Sequence, residues 1–160
     1  MYLVTGATGH IGNVLIKKLV SQNNQVRAFV LNGEDISYIN DLSVEIFYRN
    51  ILDKEDIIRA LDGIDTVFHL AGMISILPQY DEMLYRVNVT GTQNMIEAGI
   101  QKNIQKLVYT SSIHAIRHTP HGTMINEAQP FDSTTSTGHY DRSKAEASLL
   151  AFETAKNGLG

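Results

Sequence analysis

The sequence contains no cysteine, which excludes a disulfide framework, thiolate catalysis and zinc sites built on thiolates. Positive charge is also scarce: 13 Lys and Arg residues stand against 17 Asp and Glu residues, and the formal net charge is -4. Because no run of basic residues is present, we expect neither a nucleic-acid partner nor a membrane partner. The longest weakly polar stretch, residues 66–77, includes His69 and is too short to span a bilayer.

What remains is an ordinary globular composition. The 160 residues are 43% apolar and 19% charged, which suits one domain with a sizeable core. The first residues, MYLVTG, lack the basic segment that opens a secretory signal. We therefore expect a single domain that spans residues 1–160 and works in the cytoplasm.

Short apolar runs alternate with amphipathic segments along the chain. The apolar runs predict strands at residues 2–5, 25–31, 44–48, 66–70 and 106–111. Helical spacing predicts helices at residues 11–20, after an N-cap at Asp53, at 83–100 and at 140–156, with a loop at 114–138. Strands that alternate with helices predict the α/β class, with a doubly wound parallel sheet between two layers of helices.

The first predicted strand runs directly into a glycine-rich segment, TGATGHIG, in which Gly6, Gly9 and Gly12 recur at every third position. A tight turn needs the first glycine, close approach of a pyrophosphate needs the second, and close helix–strand packing needs the third. The helix that follows would direct its amides and its dipole at the anion. Because the glycines follow a strand and open a helix, they predict a dinucleotide phosphate loop.

Tyr140 and Lys144 are spaced to share one face of the last predicted helix. A tyrosine hydroxyl ionises near pH ~10, so acid–base work at neutral pH requires a nearby cation such as a lysine ammonium. Ser111 and Ser112 end the fifth strand, at the sheet edge that also carries the glycine loop. These residues predict an acid–base site at that edge.

Asn88 stands in the segment VNVTGTQN, within a predicted helix where asparagine is disfavoured by propensity. A buried asparagine needs hydrogen-bond partners. We expect Asn88 either to brace the fourth and fifth strands or to orient a water molecule.

Taken in order, these segments resemble the extended short-chain dehydrogenase/reductase family, also called the NAD-dependent epimerase/dehydratase family. The matching segments are TGATGHIG, NILD, HLAG, VNVTGTQN, KLVYTSS and YDRSK. Within that family the chain is most similar to the dihydroflavonol-reductase-like members. The resemblance implies a Rossmann-type dinucleotide-binding domain.

The same resemblance implies a nicotinamide-dependent oxidoreductase that acts on a small carbonyl or alcohol substrate. By position, Ser112 would bind the substrate oxygen, Tyr140 would be the general acid/base, and Lys144 would stabilise its phenolate and bind the nicotinamide ribose. Asn88 would complete the catalytic set. The cofactor-binding residues implied by the family are Gly6, Thr8, Gly9, His10, Ile11, Gly12, Asn32, Asn50, Ile51, Leu70, Ala71, Gly72, Thr110, Tyr140 and Lys144.

The choice between NAD and NADP stays open at this point. An acidic residue after the second strand binds the ribose hydroxyl of NAD, whereas an arginine there accepts the phosphate of NADP. The expected place falls at Leu31 and Asn32, which are neither. Glu34 and Asp35 follow, and they would repel a 2′-phosphate if they lay close to it.

Two other functions remain open: a nucleotide-sugar epimerase or dehydratase that retains NAD, and a noncatalytic dinucleotide-binding module or redox sensor. Family members usually have about twice as many residues. The chain therefore resembles the cofactor-binding half, without the C-terminal substrate lobe. The family often dimerises through the VNVTGT and YDRSK helices, so a homodimer is expected. No metal site is expected, because His114, His118 and His121 lie in a loop that contains proline.

Overall fold

One parallel sheet organises the chain. The computed structural model describes residues 1–75, 81–117, 119–134 and 138–156. Five strands are hydrogen-bonded in the order β3-β2-β1-β4-β5. Their bounds are β1 Tyr2–Thr5, β2 Val26–Val30, β3 Glu45–Tyr48, β4 Thr66–His69 and β5 Lys106–Tyr109. The predicted doubly wound α/β fold class is confirmed.

Helices lie on both faces of the sheet. They are α1 His10–Ser21, α2 Lys54–Ala60, α3 Glu82–Tyr85, α4 Gly91–Gln101 and α5 His139–Lys156. A π-helical segment, Arg86–Thr90, joins α3 to α4, and a short 3₁₀ helix spans Ile113–Ala115. Within the described residues, no helix has both the length and the apolar character that a membrane crossing requires.

The alternation of side chains along β1 divides the core between the two faces. Val4 faces α1 and packs in a cluster with Ile16. Its neighbour Leu3 faces the other way and packs in a cluster with Ile57 of α2 and Met95 of α4. Because both faces of this strand are covered, the neighbouring residues Leu3 and Val4 are both apolar and both buried, instead of alternating with polar ones.

Two predicted elements differ from the observed ones. The single helix predicted over 83–100 is interrupted, because one wider turn is inserted at Arg86–Thr90. The loop predicted over 114–138 includes most of the 3₁₀ helix, and Ile116 forms an isolated antiparallel bridge with Phe131. The predicted cap of α2 is confirmed, since Asp53 accepts hydrogen bonds from the amides of Glu55 and Asp56.

Candidate active site

A cleft of about 540 Å³ opens at the carboxyl edge of the sheet, within the size range of small-molecule sites. Eight of the residues that sequence reasoning assigned to the cofactor line it: Gly6, Thr8, Gly9, Asn50, Ile51, Leu70, Ala71 and Gly72. Asn50 shapes its own loop, because its side-chain oxygen accepts a hydrogen bond of 2.9 Å from the amide of Leu52. The order of the strands reverses next to β1, where α/β proteins place their ligands.

The glycines of the first loop allow backbone segments to approach more closely than side chains would permit. Gly6 has φ +62°, and a Cβ there would lie 2.8 Å from the backbone of Leu70 and Ala71. A Cβ on Gly12 would lie 2.1 Å from the carbonyl oxygen of Gly6. A Cβ on Gly9 would lie 3.2 Å from that same oxygen. The loop therefore forms a cradle that only glycine fits at its first and last positions.

A buried chain of hydrogen bonds starts at the base of this cradle. The Thr5 hydroxyl oxygen accepts from the amides of Leu70 and Ala71, both at 3.1 Å. It also lies 2.8 Å from Nδ1 of His69, and Nε2 of His69 lies 3.0 Å from the Thr92 hydroxyl. The Thr92 hydroxyl donates to the carbonyl of Asn88 at 2.7 Å.

Only one direction of donation satisfies every group in this chain. Thr5 already accepts two amides and donates its own proton to Nδ1 of His69, so the ring proton lies on Nε2 and is donated to Thr92. Burial and the charge of Lys144 lower the pKa of His69 to about 3, so the ring is neutral at any physiological pH. His69 is therefore a fixed connector between β1 and the π-helical segment.

Asn88 continues the connection from the π-helical segment to α5. Its amide oxygen accepts from the backbone amide of Met73 at 2.7 Å, and its nitrogen donates to the carbonyl of Met73 and to Ser143, both at 2.9 Å. Ser143 in turn donates to the carbonyl of Tyr140 at 2.8 Å. Asn88 thus braces the segment after β4 against the first turn of α5.

Lys144 is buried, with 7% of its surface exposed. Its Nζ donates to the carbonyl of Thr110 at 2.8 Å and lies 4.7 Å from the centre of the Tyr109 ring. Burial lowers the pKa of Lys144 to about 8, so the ammonium stays largely protonated at neutral pH. Burial also raises the pKa of Tyr109 to about 12, so this tyrosine remains a neutral phenol.

The two serines after β5 have different partners. The Ser111 hydroxyl lies 2.6 Å from that of Ser148, which donates to the carbonyl of Lys144. Ser111 therefore anchors the strand end to α5. Ser112 caps the 3₁₀ helix by accepting from the amide of His114 at 3.2 Å. Its hydroxyl proton is not used in that hydrogen bond.

Tyr140 stands in the first turn of α5 and packs against the residues that follow β5. Its ring meets that of His114 edge-on, with the ring centres 5.6 Å apart. Nδ1 of His114 lies 3.0 Å from a carboxylate oxygen of Asp141, beside Tyr140. Because Lys144 reaches Thr110 and Tyr140 reaches His114, α5 brings both side chains along the stretch that contains Ser112.

Other sequence-predicted residues lie away from the cleft lining. His10 and Ile11 line a shallow groove on the outer side of α1, and Gly12 is buried beneath the loop. Asn32 is exposed at the tip of a turn. Within the described residues no group of three or more His, Asp or Glu side chains is arranged to hold a metal ion, and His118 lies outside them.

Sequence reasoning missed several residues of the cleft. Glu34 lines it, although sequence reasoning considered this residue only as a charge that would repel a 2′-phosphate and did not assign it to the cofactor. The Asn32–Gly33 pair that precedes Glu34 is a turn signal and could have predicted the reversal. Met83 and Val87 line the cleft from α3 and the π-helical segment, and no local pattern marks them.

Comparison with known proteins agrees with this architecture. The model of the 3-beta hydroxysteroid dehydrogenase/isomerase family matches residues 3–158. Sterol demethylase protein B of Methylococcus capsulatus is 35% identical over 98% of this chain and 48% of its own length. A putative dihydroflavonol 4-reductase of Synechocystis is 31% identical over 98% of this chain and 46% of its own.

Among solved structures, UDP-glucose 4-epimerase of Thermus thermophilus in complex with NAD is similar, with a TM-score of 0.82 and 26% identity. That match covers 99% of this chain and 52% of the epimerase. The chain thus spans about half the length of the relatives that it matches. The resemblance to extended short-chain dehydrogenases is confirmed, and the chain belongs to the 3-beta hydroxysteroid dehydrogenase/isomerase family.

Proposed function

We propose that residues 1–160 form the dinucleotide-binding part of an NAD(P)-dependent oxidoreductase that interconverts a carbonyl and an alcohol. The observation that carries this proposal is the buried Lys144 ammonium, held by Thr110 one helical turn from Tyr140. Burying a cation is unfavourable, and such groups cluster at functional sites. The family match and the sterol-related relative favour a secondary alcohol of the steroid type as substrate.

The residues of the cleft fit a nicotinamide dinucleotide. Gly6 and Gly12 let the loop fold tightly over the start of α1, because a Cβ at either position would clash with protein backbone. The amides that begin α1 would then be directed at a pyrophosphate. Thr8 and Asn50 line the cleft and would contact the adenosine half, and Ala71 would lie against a ribose. When bound, the nicotinamide ring supplies or accepts the hydride.

Side chains of the protein carry out the proton transfer. As hydride reaches the carbonyl carbon, Tyr140 donates its phenolic proton to the carbonyl oxygen, which becomes the hydroxyl of the alcohol. Ser112 donates a hydrogen bond to the same oxygen, with the proton that its capping role leaves available. Lys144 supplies the positive charge that stabilises the phenolate of Tyr140, and Asn88 holds the helix in register through Ser143.

The replacement Tyr140→Phe tests this assignment. We expect the variant to bind NADH or NADPH as the wild type does, while oxidation of a 3-hydroxysteroid falls by at least about 100-fold, because general acid–base catalysis contributes that much. Tyr109→Phe is the matched control. It removes the hydroxyl of a tyrosine whose ring centre lies 4.7 Å from Nζ of Lys144, and turnover should persist.

Two results would contradict the assignment. Equal turnover in Tyr140→Phe would assign the acid–base step to another group, and loss of dinucleotide binding would make the tyrosine structural. A folded wild type that binds dinucleotide and turns over no alcohol or ketone would favour a noncatalytic binding module.

A nucleotide-sugar epimerase is the second candidate, and the epimerase match at a TM-score of 0.82 favours it. The two functions differ in how the cofactor is used. An epimerase regenerates its cofactor within each cycle, so NAD should remain bound through purification. Release of NAD on denaturing the freshly purified protein, together with conversion of UDP-glucose, would favour the epimerase over the dehydrogenase.

We also propose that the protein forms a homodimer. The π-helical segment, α4 and α5 pack side by side and leave a shallow groove of about 530 Å³ between them. Val89, Leu149 and Leu150 supply its apolar lining. Light scattering should give twice the monomer mass, and Leu150→Asp should reduce it to the monomer mass. A wild type that is monomeric at assay concentration would overturn this proposal.

A further inference from the structure

His114 contacts both of the residues to which we assign the work on the substrate oxygen. It is the middle residue of the 3₁₀ helix Ile113–Ala115, shortly after the end of β5. Its backbone amide donates to the hydroxyl oxygen of Ser112 at 3.2 Å. Its imidazole meets the ring of Tyr140 edge-on, with the ring centres 5.6 Å apart. One residue therefore connects the segment that carries Ser112 with the helix that carries Tyr140.

A carboxylate fixes the orientation of this imidazole. Nδ1 of His114 lies 3.0 Å from Oδ1 of Asp141, the residue that follows Tyr140. A carboxylate at this distance accepts the Nδ1 proton, which sets both the tautomer and the orientation of the ring. The Asp141 side chain is 16% exposed and stands in the first turn of α5, so the helix itself holds the carboxylate in place. The imidazole is thus fixed although it lies at the surface.

Core packing does not account for these contacts, because 56% of the His114 side chain is exposed. An exposed side chain contributes little to the stability of a fold. Tyr140, in contrast, needs a restraint. It is the second residue of α5, where helix ends fray, whereas Lys144 lies one turn further along and is buried. The fixed imidazole supplies that restraint at the start of the helix.

We propose that His114, oriented by Asp141, is a positioning residue that sets the geometry between Ser112 and Tyr140, an inference that rests on the proposed carbonyl–alcohol function. Its amide occupies one lone pair of the Ser112 oxygen, and its ring restrains the phenol of Tyr140. Both hydroxyls must reach the same substrate oxygen, and a displacement of about 1 Å in such an arrangement can cost about 100-fold in rate. His114 takes no part in the proton transfer itself.

Steady-state kinetics of the purified chain with a 3-hydroxysteroid and NAD or NADP test the proposal. His114→Ala should lower kcat by about 10–100-fold. KM and the Kd of the reduced dinucleotide should stay within about twofold of the wild type, because no binding contact is removed. The urea midpoint should not change, which separates positioning from a structural role. His121→Ala is the matched control, since it removes an exposed histidine from the loop after the 3₁₀ helix and should leave kcat unchanged.

Asp141 gives an independent test of the same restraint. Asp141→Ala should lower kcat by about the same factor as His114→Ala. Asp141→Asn keeps an acceptor for Nδ1–H and should retain at least about threefold more turnover than Asp141→Ala. The double variant His114→Ala/Asp141→Ala should be no slower than either single variant, because both changes remove one restraint. Effects that multiply in the double variant would show that the two residues act independently, and the proposal would be wrong.

The remaining results separate the inference from the function on which it rests. Wild-type kcat in His114→Ala, or a loss confined to KM or to stability, would overturn the positioning role while the function stands. If the folded wild type turns over no alcohol or ketone, the proposed function fails by itself, and fluorine NMR of protein labelled with 3-fluorotyrosine then decides the role of His114. The Tyr140 resonance, assigned by its absence from Tyr140→Phe, should move in His114→Ala and in Asp141→Ala but not in His121→Ala. A resonance that stays in place in Asp141→Ala would refute the restraint.

Discussion

Replacing Lys144 with methionine should stabilise the fold at neutral pH. The side chain is buried, and burial lowers its pKa from 10.5 to about 8. A shift of that size corresponds to about 3 kcal/mol of unfavourable free energy for the charged form in the folded state. Methionine has a similar unbranched stem and carries no charge. It leaves the carbonyl of Thr110 without its donor, which costs about 1 kcal/mol, so a net gain of about 1–2 kcal/mol remains.

The gain should depend on pH in a defined direction. Below about pH 8 Lys144 is protonated in both the folded and the unfolded state, and the full free-energy cost of burying its charge is present. Between about pH 8 and 10.5 the unfolded chain binds more protons, so the stability of the wild type rises with pH. At pH 9.5 about 2 kcal/mol of the cost should have disappeared. Measurements should stay below pH 10, because Tyr109, with its pKa raised to about 12, then begins to lower stability as pH rises.

Urea unfolding at pH 7.0 and pH 9.5 measures the stability difference between Lys144→Met and the wild type, and how that difference changes with pH. The variant should exceed the wild type in free energy of unfolding at pH 7.0, and the difference should vanish or reverse at pH 9.5. Lys18→Met, at an exposed position of α1, serves as the control and should change neither value. A variant that is less stable than the wild type at pH 7.0, or a difference that is equal at the two pH values, would refute the argument.

Two further predictions concern the backbone contacts beneath the cleft. Gly12→Ala should destabilise the fold by more than about 2 kcal/mol in urea unfolding and abolish dinucleotide binding. The reason is that the alanine Cβ would lie 2.1 Å from the carbonyl oxygen of Gly6, so a variant as stable as the wild type would refute the observed loop geometry. Thr92→Val should lower the free energy of unfolding by about 1–3 kcal/mol, because Nε2–H of His69 loses its acceptor. Thr92→Ser keeps the hydroxyl and should stay within about 1 kcal/mol of the wild type. Equal effects of valine and serine would show that the hydroxyl is unimportant.

The strands could be read from the sequence because burial on both faces leaves a local trace. β1 and β4 are short apolar runs next to glycine or small residues, and their observed bounds lie within one residue of the predicted ones. The π-helical segment has no comparable local sequence pattern. Its residues, Arg86–Thr90, fit an ordinary helix by propensity and spacing, and the wider turn is visible only once Asn88 and Val89 are both found buried.

The candidate site was predictable to the extent that its residues follow strand ends. Gly6, Leu70 and Ala71 were found because parallel strands bring their carboxyl ends to one edge. Glu34 was not, because its place depends on a turn that brings it back to hydrogen-bond with Thr8, a contact between residues far apart in sequence. Met83 lines the cleft through tertiary packing of α3, which no local pattern encodes.

His69 illustrates why a residue that looked ordinary in the sequence has a defined task in the fold. His69 opens the HLAG segment, but sequence reasoning assigned no role to the histidine itself. In the structure it is completely buried, neutral, and bonded on both ring nitrogens, so it transmits the position of the β1 and β4 ends to the carbonyl of Asn88. Asn88 then fixes α5 through Ser143. These hydrogen bonds hold the glycine cradle and the helix that carries Tyr140 and Lys144 in one geometry.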